Sequence, residues 1–322
     1  SIRVLFAFWF FYLGSWSFLQ TMVEMKHSIF WFITRAIFLT CAMLFCFAVG
    51  TFGSGLAPVS MLTEAAQGPA EGAAGMSPWQ AFVPLLIYSF LIACLFGYII
   101  HRSHWHGLRL ALFIFISFFG LLTVVGQLES LLFLQDELPA GMVGTIFLQG
   151  AILAGLFSPL AVMIMGKAKR PVVIDATQPR QGISLPQWIW KVLVIGVVYL
   201  IVYLLFGYFV AWKSPVLQQY YGGTDPGNFF IHVSDLWKTS PYVFPFQIAR
   251  GLLWMLFTLP IIRMHKGGKL EVAVTLALLL AFWSFQLLIP NPYMPAEVAR
   301  VHLVEIFSSN FIFGFIIGIL LG

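Results

Sequence analysis

A chain of 322 residues that is 60% hydrophobic and only 9% charged, with a mean hydropathy of +0.93, is far too apolar for a water-soluble domain, in which about a quarter of residues are charged. Its 34 Phe and 11 Trp exceed what one aqueous core of this size can hide, so lipid is the solvent. The formal net charge of +5 is distributed by topology rather than gathered in one patch, and nucleic acid is not an expected partner.

Residues 1–20 are apolar enough to cross a bilayer, but only a short segment separates them from the next apolar run. They read as a ninth crossing, as an interfacial helix, or as an extension upstream of a start at Met25, and no small-residue signal cleavage pattern follows them. Segment 1–24 is therefore set apart. Crossing about 30 Å of hydrocarbon takes about 20 apolar residues. Eight runs qualify: 29–52, 81–100, 108–128, 142–166, 188–211, 244–262, 270–290 and 301–321. The expected fold is an all-α polytopic membrane bundle, with a first four-helix half over 25–166, a linker over 167–187 and a second half over 188–322. Cys41, Cys46 and Cys94 all fall inside apolar runs and read as packing residues rather than a disulfide framework.

The connections alternate in charge. Lys26, Arg35, Arg102, Arg109, Lys167, Lys169, Arg170, Arg180, Lys191, Arg263, Lys266 and Lys269 belong to one side. The other side has Lys213, Lys238, Arg250 and Arg300, and the loops 53–80 and 129–141 contain no Lys or Arg. The positive-inside rule places the basic side, and with it the carboxyl terminus, in the cytoplasm of a plasma (inner) membrane. Trp79, Trp105, Trp188, Trp190, Trp212 and Trp237 fall near span ends, where an amphipathic ring prefers the interface. The outer loop 212–243 mixes turn residues with Tyr220, Tyr221, Phe229, Phe230 and Trp237 and is expected to fold back onto the helix ends.

The halves resemble one another. Arg35 and Lys191, early in spans one and five, are each followed at the same spacing by a Pro-Ala pair, at Pro139 and Pro295. Pro84 and Arg102 bracket span two as Pro245 and Arg263 bracket span six. This predicts a tandem repeat of like orientation, in which Gln149 corresponds to Glu305.

Ionisable groups at membrane depth cost about 2.5–3.5 kcal/mol each on insertion scales, so each needs a partner or a purpose. The candidates cluster toward the outer side: Arg250 in span six, Arg300, His302 and Glu305 in span eight, Gln286 late in span seven, Gln127 and Glu129 at the end of span three, and His232 and Asp235 in the outer loop. His302 and Glu305 share a helix face, and Arg300 points nearly opposite His302. Two arginines near helix starts can hold a carboxylate or phosphate by bidentate contacts. The same residues can instead pair with one another and tie helices together, and a metal set of His232, Asp235, His302 and Glu305 is the remaining geometric option. His101, His104 and His106 read as a basic, headgroup-facing turn.

No catalytic or cofactor motif is present. Gly53-Ser54-Gly55 is too short for a nucleophile elbow, Gly267-Gly268-Lys269 lacks the rest of a phosphate loop, and no HExxH helix occurs. The expected function is binding or transport of a small polar, anionic or lipid-like substrate at an outward-facing site. The alternatives are a non-catalytic structural or accessory subunit and, third, an intramembrane enzyme using His302 and Glu305. Membrane lipids and other membrane subunits are the expected partners.

Overall fold

The computed structural model describes residues 30–56, 78–133, 138–169, 184–225, 227–290 and 294–322. The readings made for residues 1–24, for most of loop 53–80 and for most of the linker 167–187 lie outside the described residues. Within them the chain is an all-α polytopic bundle. Eight helices are long and apolar enough to cross a membrane: Phe30–Gly53, Trp79–His101, Gly107–Leu132, Met142–Ile164, Leu185–Ala211, Val243–Met264, Lys269–Leu288 and Ala296–Leu321, the first to eighth spans below. Most span ends differ from the apolar runs by a few residues, and two of these differences bear on the site. The third helix continues to Phe133, so Glu129 lies within it. The eighth begins at Ala296, five residues before its apolar run, with Pro295 at the cap position and Glu297 in the first turn, where it suits the positive end of the helix dipole.

Bonds between connections show which ends meet. Arg35 donates to the Met165 carbonyl, Lys167 to the Ser103 carbonyl and Lys191 to the Leu320 carbonyl. The second-to-third and sixth-to-seventh connections exchange main-chain bonds, His104 N to Met264 O at 2.9 Å and Lys266 N to Arg102 O at 2.8 Å. The starts of odd spans and the ends of even spans therefore lie together at one end, here the basic end. The opposite, far end carries the short helices Pro215–Tyr220 and Phe229–Thr239, the latter capped by Asn228 Oδ1, which accepts from the Phe230 and Ile231 amides.

In lipid, close helix approach depends on small residues rather than on hydrophobic exclusion of water. The third and fourth spans meet at Gly150, where a Cβ would lie 2.0 Å from Thr123 Oγ1. The seventh and eighth meet at Gly318, where a Cβ would lie 2.2 Å from Ala273 Cα. The second span packs on the seventh, and the third on the sixth. Trp254, Phe96, Phe118, Phe157 and Phe313 fill the resulting interior, whereas Ile37, Phe45, Phe52 and Phe209 point outward, as lipid permits.

Two spans contain a wide turn with i→i+5 bonding, Gly120–Val124 in the third and Gly207–Ala211 in the fifth. Such turns shift the register of the following side chains and recur at functional sites. In the third span, the Leu122 carbonyl accepts from Trp283 Nε1 at 3.2 Å, which fastens the turn to the seventh span.

Candidate functional site

Polar side chains from four spans meet in the far half of the bundle. Arg250 is brought there by the sixth span and is only 5% exposed. Its guanidinium meets the Glu129 carboxylate as a two-pronged fork, Nη1 to Oε1 at 2.9 Å and Nη2 to Oε2. The planar donor pair matches the two oxygens, which is why arginine rather than lysine suits this position. The guanidinium carbon lies 5.9 Å from the Tyr199 ring, and Tyr203, one helical turn further along the fifth span, is within electrostatic reach of Glu129, Glu305 and Arg250.

The fork does not satisfy everything around it. Arg250 Nε has no hydrogen-bond partner among the described residues. Neither amide atom of Gln247 has one, although Gln247 is wholly buried one turn earlier on the same helix. The Gln127 amide oxygen on the third span is in the same position. A buried polar atom left unpaired costs about 1–3 kcal/mol, so such atoms in one region mark a place suited to a polar guest.

The eighth span supplies the second part. His302 Nδ1 lies 2.9 Å from Glu305 Oε2, and His302 Nε2 lies 3.0 Å from the Tyr221 hydroxyl. Their side chains are 17% and 13% exposed. In the neutral ring, Nδ1–H donates to the carboxylate and Nε2 accepts from tyrosine; in the cation both nitrogens donate and the hydroxyl oxygen accepts. The arrangement therefore tolerates either protonation state. Gly207, at the wide turn of the fifth span, comes so close that a Cβ there would lie 4.0 Å from Glu305 Oε1.

The segment after the fifth span covers this pair. Leu217 is buried with Ala211 and Val298. Lys213 bonds Asp225 at 2.9 Å and lies over the Tyr208 ring, while the Tyr208 hydroxyl donates to the Gly227 carbonyl. That hydrogen bond with Lys213, reinforced by the Gly227 amide, holds the Asp225 carboxyl below its ordinary value. Burial raises the Tyr221 hydroxyl above its own, so it stays protonated throughout the neutral range.

The remaining candidates lie apart. Arg300 is exposed on the eighth span and pairs with no acid among the described residues. The two arginines are thus not brought together, because Arg300 faces away from His302 and Glu129 already occupies Arg250. Gln286 is half-buried in the tight turn Trp283–Leu288, and its side chain makes no bond to the cluster among the described residues. His232 packs beside Tyr208 and Trp212, with ring centroids at 5.7 and 6.1 Å, and reaches His302 only through Trp212 and Tyr221. Asp235 is exposed, 3.6 Å from Lys238. Among the described residues no group of three or more His, Cys, Asp or Glu side chains could hold a metal ion, so the four-residue metal set does not assemble.

A second polar group, at the basic end, escaped the sequence reading. Glu271 in the seventh span accepts from Arg102 Nε at 2.5 Å, Arg102 Nη2 at 2.8 Å and the Tyr98 hydroxyl at 2.6 Å. The available signal was a lone acid in the first turn of a span on the side otherwise dominated by Lys and Arg. No family model, curated protein or solved structure matches this chain.

Proposed function

We propose that this protein is a multi-pass protein of a plasma membrane that binds a small polar ligand at the far end of its bundle, for uptake or sensing. The observation that carries the reading is the buried, unpartnered set of Gln247, Gln127 and Arg250 Nε in the same half of the bundle as the His302–Glu305 pair. The ligand chemistry follows from what remains available. Glu129 neutralises Arg250 and Arg300 faces away, so an anion finds no clamp. Among the described residues the unpartnered atoms of this set are both acceptors, the Gln247 and Gln127 amide oxygens, and donors, Gln247 Nε2 and Arg250 Nε. With the Glu305 carboxylate as a further acceptor they favour an amine- or hydroxyl-bearing guest, which both donates and accepts, over a carboxylate or phosphate. The basic end is assigned to the cytoplasm by its excess of Lys and Arg, and the far end to the exterior.

The duplication belongs to the same proposal. The Arg35–Met165 and Lys191–Leu320 bonds support it, since each joins an early basic residue of one half to the last span of that half. Gly50 against Gln149 and Gly207 against Glu305 form a second corresponding pair of contacts. In that alignment Glu305 is the ionisable counterpart of Gln149, which bonds Thr51 at 2.8 Å.

The test is a thermal-shift screen of the purified protein in lipid nanodiscs against amines, polyols, amino acids and carboxylates. A guest at 100 times its Kd stabilises by about 2.7 kcal/mol, an easily read shift. The expected outcome is stabilisation by donor-bearing compounds that is lost in Glu305→Gln. Stabilisation by none of these classes would favour the second reading, an accessory subunit, which the closed Arg250–Glu129 fork and the broad exposed aromatic surface support.

A further inference from the structure

Between the second and seventh spans runs a cleft of about 570 Å³, within the range of about 300–1,000 Å³ typical of small-molecule sites. It is unrelated to the far-end cluster. Leu91, Leu95, Leu278 and Phe282 wall it, and it ends in polar groups, Tyr98 and Glu271. Val274, on its rim, is 41% exposed, so the cleft opens sideways between two spans rather than toward either aqueous end. From Glu271 to Phe282 the seventh span rises about 16 Å at ~1.5 Å per residue. That is about half of a hydrocarbon core of ~30 Å, the depth of one leaflet.

Charge is arranged to match. The polar end of the cleft lies at the basic end of the bundle, where Arg35, Arg102, Lys167 and Lys266 surround His101, and Lys269 begins the seventh span beside the lining residue Leu270. Among the described residues Glu271 is the one carboxylate at that end, and Arg102 already neutralises it. An excess of cations lies over a leaflet-deep apolar slot. We propose that this cleft is a lipid site, taking one acyl chain of a phospholipid between Leu95 and Leu278 and holding its anionic headgroup against Lys266, Lys269 and the Arg102–Glu271 pair.

The proposal is tested on the full chain in nanodiscs of phosphatidylcholine containing a minor amount of phosphatidylglycerol with a diazirine in its acyl chain. After illumination, adducts are mapped by peptide mass spectrometry. Adducts are expected to concentrate on residues 91–98 and 270–282. They should fall several-fold in Leu278→Trp and in Val274→Trp, the latter at an exposed position where a larger side chain disturbs little packing. Neutralising Lys266 or Lys269 to Gln should reduce the preference over a phosphatidylcholine diazirine by about five-fold per charge, from the ~1 kcal/mol that each basic residue contributes near anionic lipid. Adducts spread evenly over outward faces such as Ile37 and Phe45 would mean ordinary boundary lipid and overturn the site. Labelling unchanged in both Trp variants would do the same, as would capture of residues 1–29 by a thiol cross-linker on Cys94, which would make the occupant the chain's own segment. Equal labelling by the two headgroups would overturn its anionic specificity.

Discussion

Removing the acid from the Arg250–Glu129 fork strands a guanidinium that is 5% exposed and has one nitrogen already unpartnered. Leaving a buried charge without its counter-charge costs about 3 kcal/mol or more, whereas replacing both partners by apolar groups of similar size is close to neutral. Glu129→Ala is therefore expected to lower the melting temperature in detergent sharply, and Glu129→Leu combined with Arg250→Met to recover most of the loss. Equal losses in single and double variants would show that the pair does not act as a unit. The same residues show what a sequence can give at this scale. Arg250, Glu129, His302 and Glu305 were legible as misplaced polar groups, because hydrocarbon penalises them wherever they sit. The partner of Arg250 was not, since whether it faces Glu129, Glu305 or Asp235 depends on how four helices are rotated, whereas the His302–Glu305 pair follows from their shared helix face. Glu271 gave no such signal, because an acid in the first turn of a span lies at the interface, where hydrocarbon does not penalise it, and only the fold brings it to Arg102 and Tyr98.

Among elements, the contact between the seventh and eighth spans is the most intimate, and it is made by backbone. A Cβ at Gly314 would lie 2.5 Å from the Leu276 carbonyl oxygen, and at Gly318 2.2 Å from Ala273 Cα. Main chain cannot swing aside as a side-chain tip can. Gly318→Ala is expected to force the two helices apart and destabilise by about 1–3 kcal/mol. Gly144, in the fourth span with nothing within 4 Å of a Cβ, is the matched control; there alanine should be neutral or stabilising by up to ~1 kcal/mol through helix propensity. Comparable losses at both positions in a thermal melt would refute the close-packing account. The spans themselves were readable from run length alone, which explains why all eight agree and only their ends move. Pairing was not readable, because spacings such as Gly150 with Ala154 and Gly314 with Gly318 recur in most membrane helices and name no partner.

Across the whole molecule, the charge asymmetry makes a claim about orientation that a single labelling experiment decides. Cysteine placed at Lys238 should react with a membrane-impermeant maleimide in intact cells, and cysteine at Lys266 only after permeabilisation. The reverse order would invert the proposed topology and move the His302–Glu305 pair to the cytoplasmic side.

The main-chain bridge between residues 102–104 and 264–266 bears on how such a molecule can move. It fastens the second-to-third connection to the sixth-to-seventh, and it uses amides and carbonyls that no substitution short of proline removes. Were the spans on its two sides to rock against one another, the bridge would be the fulcrum and the far end would take the larger excursion, as the jaws of a clothes-peg do around the spring. If the proposed ligand enters at the far end, carrying it to the opposite face would require this bridge to open, so the bridge is where uptake and sensing would part company.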